Sequence, residues 1–218
     1  MIELSNVTVV IVDTAAPVSA LKTLCHCSKL IKFGESLILT SEELKTPDGI
    51  TLRKIPELDY VGFSRFMVNN LNEHIKTEFC LIIHCDGFIL NPNLWRDEFL
   101  KYDYIGAPWI GVEQSRIGNG GFCLRSKRFL ELTTNNIKDY ENYSHSYPER
   151  NEDHFLCRTK YSVLKNLGIK FPPLEVACDF SLEAVIPECP RNYDNVFGFH
   201  GKNDFTLALM KKIQDNPL

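Results

Sequence analysis

The chain has 218 residues, 44% hydrophobic and 24% charged, with a formal net charge of −4. That is ordinary globular composition, fitting one domain over residues 1–218, and it lacks the basic footprint that nucleic acid requires. No apolar run is long enough to span a bilayer, and Met1-Ile2-Glu3-Leu4 lacks the basic start of a secretory signal. A cytoplasmic location is therefore expected; peripheral contact with the cytoplasmic face of a membrane and further domains both stay open. The eight cysteines form no Cys-x-x-Cys pair. They read as reduced core thiols rather than zinc ligands or disulfides.

Val7 to Val12 is a β-branched run and reads as a buried strand. It ends at Asp13-Thr14, before a helix predicted from Pro17 to Ser28. Either polar residue could cap that helix. Asp13 could equally bind a ligand, because ligands gather beyond the carboxyl ends of parallel strands. Ser36 to Thr40 is a second strand, and the strand–helix–strand order predicts a parallel sheet with a right-handed crossover. Pro47-Asp48-Gly49 is a turn, and Leu52 to Ile55 a third strand. Phe63, Met67, Leu71 and Ile75 repeat every four residues, which predicts one amphipathic helix from Gly62 to Ile75. Ser64 would cap it. Arg65 would then oppose the helix dipole, as a solvated surface residue or one reaching for an anion.

The run Leu81-Ile82-Ile83 enters a polar break, His84-Cys85-Asp86-Gly87, before resuming. An imidazole and a carboxylate two residues apart at a strand end point the same way and suit a metal ion. Asp-Gly between apolar residues is also a plain hairpin signal. Asn93 to Leu100 reads as a short helix, and Tyr102 to Trp109 as a strand entering a small-residue turn. Trp109 suits either a core anchor or a platform for a sugar face. Gly118-Asn119-Gly120-Gly121 holds more glycine than one hairpin needs, which favours close approach of backbone to a ligand.

Lys127 to Thr134 reads as a helix, and Thr134 to Arg150 as a long exposed loop. Asn151 is expected to cap a helix running through Leu167 and closed by Gly168. Glu152 and Asp153 fall in its first turn, where the dipole alone accounts for them. Phe171-Pro172-Pro173 would end a short strand, and the chain to Phe197 would be irregular. His200 lies between glycines in Gly198-Phe199-His200-Gly201-Lys202, on a predicted loop, and Thr206 to Gln214 reads as a terminal helix.

Taken together, the segments LIIHCDGFILNP, YDYIGAPW, GNGGFCLRS, NEDHF and FGFHG, in that order, resemble small bacterial and viral domains grouped with the GT-A glycosyltransferases. The resemblance runs from Val7 to Lys202. It implies an α/β, GT-A (nucleotide-diphospho-sugar transferase) fold with a mostly parallel sheet flanked by helices. It implies a hexosyltransferase of polysaccharide biosynthesis, taking a nucleotide-sugar donor and a glycan or lipid-linked acceptor. Asp86 would stand for the second acid of the Asp-x-Asp motif, on Mn²⁺ or Mg²⁺. His200 would complete the metal site. The donor would meet Asp13, Thr14, Ser64, Arg65, Gly87, Asn119, Gly120, Gly121 and Lys202, and Trp109 would face the acceptor. The Glu152-Asp153 pair would supply the base of an inverting reaction, with retention as the alternative.

One position departs from the pattern: His84 replaces the first acid, so it contacts metal, ribose or neither. At a helix start, Asp153 is expected to have its carboxyl held down by the dipole, making it ionised but a weak base. Two other functions compete with this one. A nucleotidyltransferase would carry a basic glycine loop after the first strand, where this chain has Asp13-Thr14-Ala15-Ala16-Pro17. A non-catalytic sugar-binding module draws its support from His84.

Overall fold

The computed structural model describes residues 2–111, 116–137, 140 and 151–215. The chain opens with β1 (Ile2–Val12), α1 (Pro17–Leu30), β2 (Ile31–Thr40) and β3 (Ile50–Lys54). Next come α2 (Tyr60–Asn69), α3 (Leu71–His74), β4 (Phe79–Ile82), β5 (Tyr104–Ile105), β6 (Cys123–Ser126) and α4 (Lys127–Asn136). The last third holds α5 (Glu152–His154), α6 (Tyr161–Asn166), α7 (Leu174–Phe180), β7 (Ser181–Leu182), β8 (Gly198–Phe199) and α8 (Asp204–Asp215).

The main sheet has the order β3-β2-β1-β4-β6-β5. The first four of these strands are parallel, whereas β6 runs antiparallel to both β4 and β5. Alternate side chains of β1 serve opposite layers, as the two-residue period of a strand requires. Val7, Val9 and Ile11 pack with Ala20, Leu21 and Leu24 of α1. Val10 and Val12 pack with Phe66 and Met67 of α2 and with Phe129 and Phe155. The α1 layer continues into an aromatic cluster of Phe88, Phe99, Phe122, Phe180, Phe197 and Phe199, all fully buried. Each such side chain contributes on the order of 1.5–3 kcal/mol by leaving water.

The same alternation along β4 sends Cys80 and Ile82 to the α2 layer and Leu81 and Ile83 to the α1 layer. His84 then emerges on the α2 side, edge-on to Phe63 at 5.6 Å between ring centroids. A second, two-stranded parallel sheet pairs β7 with β8. The β8 segment also runs beside Phe88 and Ile89, through an Ile89–Gly198 bridge and a Phe199 N–H to Phe88 carbonyl bond of 3.3 Å. That pairing delivers His200 to the polar break after β4.

Several sequence expectations are corrected. The helix predicted over Gly62 to Ile75 is two helices, and its cap is Asp59, which accepts from the Gly62 N–H at 2.6 Å. Ser64 is buried inside α2 instead. Asp13 does not cap α1, whose N-cap position is Ala16; its Oδ1 closes a turn on the Ala15 and Ala16 amides at 2.9 and 2.7 Å. Residues 93–100 fall in two 3₁₀ turns, Pro92–Leu94 and Asp97–Lys101, parted by Trp95, which packs against Phe99 and Phe197, and by an extended Arg96.

The strand predicted from Tyr102 to Trp109 keeps only Tyr104–Ile105, where β6 offers a partner. Phe171-Pro172-Pro173 forms no strand, because prolines supply no N–H to a ladder; α7 and β7 follow where irregular chain was expected. The helix from Asn151 to Leu167 is interrupted by a π turn over Phe155–Thr159, closed by the Lys160 N–H on the Phe155 carbonyl at 2.9 Å. Asn151 makes no cap; its Oδ1 accepts from the Tyr60 hydroxyl at 2.5 Å. Gly168, at φ +79°, does end the last turn as expected.

Of the expected loop, Thr134 to Asn136 belong to α4 and Tyr140 is buried, while residues 138, 139 and 141–150 lie outside the described residues. Among the described residues every cysteine is a free thiol, and no helix is long and apolar enough to cross a membrane.

Candidate active site

The polar break after β4 forms the tight turn that its Asp-Gly pair suggested. His84 and Gly87 close a tight turn, with His84 N–H to Gly87 carbonyl at 2.8 Å and the reverse bond at 3.1 Å. On that turn His84 and Asp86 present ligand atoms that, together with one from His200, all lie within 4.8 Å of one another. His200 is fixed from three sides. The Gly201 N–H bonds the Asp86 carbonyl at 2.8 Å, and the His200 N–H bonds the Leu182 carbonyl at 2.9 Å. Glu183 Oε1 stands 3.3 Å from Nδ1, which leaves Nε2 facing Asp86 Oδ1 at 3.7 Å. Crowding by the ring explains the glycine in front of it: a Cβ at Gly121 would sit 2.1 Å from the His200 ring.

The three side chains of this group are shifted in different directions by their surroundings. Burial, then the neighbouring His200, drops the His84 pKa to about 4, so its ring is neutral near pH 7 and free to ligate. Burial works against ionised Asp86, but His200, His84 and Lys202 outweigh it and hold the carboxyl below its usual range. Lys202 Nζ lies 3.4 Å from Asp86 Oδ2. His200 is also desolvated, yet its bond to Glu183 and the charge of Asp86 raise it above an ordinary histidine.

Two cavities meet at this turn. One, of about 500 Å³, lies beyond the carboxyl end of β1 and is lined by Asp13, Thr14, Leu58, Asp59 and Tyr60. The other, of about 350 Å³, is lined by Gly120, Gly121, Asn151, Glu152, Asp153 and His200. Tyr60, Phe63, His84 and Asp86 border both, so the two form one trough with the turn at its middle. Among the described residues, neither lining includes a lysine or an arginine.

In the first compartment Thr14 locks the entry loop to Leu58, accepting from its N–H at 3.0 Å and donating to its carbonyl at 3.2 Å. Asp13 borders the cavity, with Oδ2 3.8 Å from the Cys85 sulfur. Burial, then Asp13, pushes the Cys85 thiol up to about 12, so it is no nucleophile.

In the second compartment the glycine loop meets the acidic pair. Asp153 Oδ2 accepts from the Gly120 N–H at 3.0 Å, and Oδ1 accepts from the His154 N–H at 2.7 Å. A Cβ at Gly120 would lie 2.7 Å from Glu152 Oε1 and 3.0 Å from Asp153 Cβ. The expectation of a depressed Asp153 is overturned. Burial first, and the charge of Glu152 second, raise its pKa to about 7, because α5 is one turn long and its dipole is small. Glu152 points inward onto fully buried Arg125, Oε1 to Nη2 at 2.8 Å.

The remaining expected residues are dispersed. Asn119 is buried and spends its Oδ1 on the Gly121 N–H at 3.1 Å, shaping the loop. Gly87 closes the turn with His84, and Ser64 borders the second cavity. Arg65 is exposed and lines a separate neighbouring cavity with Lys54 and His74. Trp109 is partly buried, its ring 4.7 Å from that of His154, one residue beyond Asp153. Sequence reasoning passed over Glu183, Tyr60, Phe63 and Arg125. Glu183 lay in a stretch read as irregular, Phe63 in a helix read for its periodicity, Tyr60 between predicted elements, and Arg125 at the end of a segment read for its glycines.

The sheet order and the trough beyond the strand ends define the class: the fold is that of the GT-A glycosyltransferases. A structure of a glycosyltransferase involved in glycosylating the major capsid of PBCV-1 aligns at a TM-score of 0.55 and 15% identity, covering 95% of this chain and 98% of that one. The galactosyltransferase LgtC, solved with donor and acceptor sugar analogues, aligns at 0.52 and 10% identity, covering 96% and 97%. The glycosyltransferase GlyE of Streptococcus pneumoniae TIGR4 aligns at 0.53 and 11% identity; this chain covers 60% of its length and 96% of its own. No curated protein sequence matches. By sequence the chain belongs to the family described as "Protein of unknown function (DUF5672)", whose model matches residues 52–200.

Proposed function

We propose that the protein is a metal-dependent glycosyltransferase that moves a sugar from a nucleotide-diphospho-sugar to an acceptor hydroxyl with inversion. The observation carrying this reading is the order of parts along the trough. A compartment of nucleoside size leads to a three-ligand cluster, and the cluster leads to a cavity holding the acidic pair. A nucleotide sugar has the same order: nucleoside, diphosphate, sugar.

Tyr60 and Phe63 offer aromatic faces to the base, with Asp13 and Asp59 as acceptors nearby. The diphosphate would fall at the turn, where Lys202 is the nearby cation. The donor set His84, Asp86 and His200 fits a divalent ion, and the Glu183–His200 contact is the outer partner that a ligating imidazole needs. Two ring nitrogens suit Mn²⁺ or another borderline ion better than Mg²⁺, which prefers oxygen. When bound, the ion neutralises charge on the departing diphosphate.

As the acceptor oxygen attacks the anomeric carbon, the bond to the diphosphate breaks and the acceptor proton passes to Asp153. A base with a pKa near 7 is well matched to that transfer. Trp109, whose ring packs at 4.7 Å against that of His154 beside Asp153, offers an aromatic face for an acceptor sugar or a lipid-linked glycan.

The test is a thermal-shift screen of nucleotide sugars with Mn²⁺, followed by assay of released nucleoside diphosphate. One donor class is expected to raise the melting temperature and to turn over, and Asp86→Ala is expected to abolish both. Full turnover in Asp86→Ala would overturn the assignment. Binding without turnover across a broad acceptor panel would make the protein a sugar-binding module.

A further inference from the structure

We propose that Arg125 is a positioning residue: through Glu152 and the Gly120 turn it divides the acidic pair, fixing Glu152 as a structural anion and leaving Asp153 as the acid that works in the cavity. The inference rests on the transferase reading of that cavity.

Arg125 is fully buried at the middle of β6. Its Nη2 donates to Glu152 Oε1 at 2.8 Å, and its Nε faces the Cys123 sulfur at 3.4 Å. The guanidinium lies 5.2 Å from the centre of the Tyr104 ring. Among the described residues its Nη1 finds no hydrogen-bond partner. A buried ion pair is weak evidence for stability, and an orphaned buried N–H lowers stability further. An apolar residue would serve the core better, so packing does not explain the arginine.

Its connections converge on the cavity instead. Cys123, which it contacts, bonds the Gly120 carbonyl at 3.3 Å, and the Gly120 N–H holds Asp153. Tyr104, under the guanidinium, bonds the Gly118 carbonyl at 2.6 Å. Arg125 thus braces both ends of the glycine turn and one member of the acidic pair. Two adjacent carboxyls sharing one site resist double ionisation. A cation held on Glu152 settles which one keeps its charge. The charged and titratable groups facing Asp153 are Glu152 beside it, Arg125 from β6, Tyr104 from β5, Cys157 from the π turn and His200 after β8.

The test uses the full chain, loaded with diamagnetic Mg²⁺ for NMR and with Mn²⁺ for turnover, and the variants Arg125→Met, Arg125→Lys, Glu152→Gln and Arg125→Met/Glu152→Gln. The Gly120 amide proton, bonded to the Asp153 carboxylate, reports the ionisation of Asp153 by NMR without any turnover. Arg125→Met is expected to raise that midpoint by about one pH unit, since an Arg beside an Asp lowers its pKa by roughly that much or more. Arg125→Lys keeps the charge and holds the midpoint near wild type. The double variant removes one charge of each sign and brings the midpoint back. In turnover, Arg125→Met is expected to lose roughly tenfold or more in kcat with little change in donor KM, as for a group acting on the chemical step.

If Arg125→Met does not fold, Glu152→Gln serves alone: the Gly120 midpoint should then fall by about one unit or more, as the like charge is gone. A midpoint unmoved in every folded variant, or equal losses in the single and double variants, would overturn the inference and leave Arg125 a packing residue. A wild-type chain that turns over no nucleotide sugar defeats the transferase reading, and the Gly120 titration still decides the role of Arg125.

Discussion

Glu183 Oε1 sits 3.3 Å from His200 Nδ1, and this contact aims the other ring nitrogen at Asp86. A ligating imidazole held in this way is set in orientation and made more basic. Glu183→Ala is therefore expected to weaken Mn²⁺ binding by about 10–100-fold without unfolding the chain, because outer partners of metal ligands carry effects of that size. Calorimetric titration of Mn²⁺ checks this. Removing the metal with a chelator should lower the melting temperature measured with Mn²⁺ present, and re-adding Mn²⁺ should restore it more fully than Mg²⁺.

Asp153 makes a prediction about pH. Burial, then the charge of Glu152, raises its pKa to about 7; Arg125, Tyr104, Cys157 and His200 also face it. Below pH 7 it is protonated and cannot accept a proton, so kcat should climb through that pH with a slope of one. Asp153→Asn should lower kcat by about 10²–10⁴-fold, the usual contribution of a general base, and leave donor KM nearly unchanged. The stability effect has the opposite sense. An acid whose folded pKa exceeds its unfolded value destabilises the fold progressively as pH rises from about 4 to about 7, and the loss persists above that. Asp153→Asn should therefore raise the melting temperature at pH 8 and change it little at pH 4.

The parallel half of the sheet was legible because β-branched runs such as Val7–Val12 declare themselves and Asp13 marks their carboxyl end. The break at His84–Gly87 was legible as a turn or a site; the structure shows the turn, with atoms of His84 and Asp86 on it lying within 4.8 Å of one from His200. The break in the helix after Asn151 was not legible, since its residues keep helical character throughout; what decides it is the packing of Phe155, Leu156 and Cys157, all buried in the α2 layer. The Asp153 pKa was misjudged for a related reason. Sequence supplied the helix dipole but not the burial, and burial is the larger effect here. Glu183 and Arg125 act through partners at positions 200 and 152, and no local pattern announces a partner so distant in the chain.

Gly121 offers a test that separates the fold from the proposed metal role of His84, Asp86 and His200. A methyl group there would stand 2.1 Å from the His200 ring. The ring must move, so Gly121→Ala should misplace one of three ligands and lower Mn²⁺ affinity by tenfold or more. Overpacking of this kind typically lowers stability by about 1–3 kcal/mol. The discriminating measurement pairs thermal denaturation with Mn²⁺ titration: a stable chain with unchanged affinity would mean that His200 is not a ligand.

Tyr60 tests the other end of the trough. Its side chain is 52% exposed, yet it borders both cavities, and its hydroxyl is tied to Asn151 beside the acidic pair. An exposed aromatic held in a cleft of this kind has no folding role large enough to explain it, whereas stacking of a base on an aromatic face contributes about 1–3 kcal/mol. Tyr60→Phe keeps the ring and loses only the bond to Asn151, so donor affinity should stay within about threefold. Tyr60→Ala should weaken binding of the bare nucleoside diphosphate by about 5–100-fold, which is the stacking contribution expressed as an affinity. Competition titration with nucleoside diphosphates separates the cases. Equal losses in both variants would assign Tyr60 to bracing Asn151 and the Glu152-Asp153 turn, and would move the base-stacking role to Phe63.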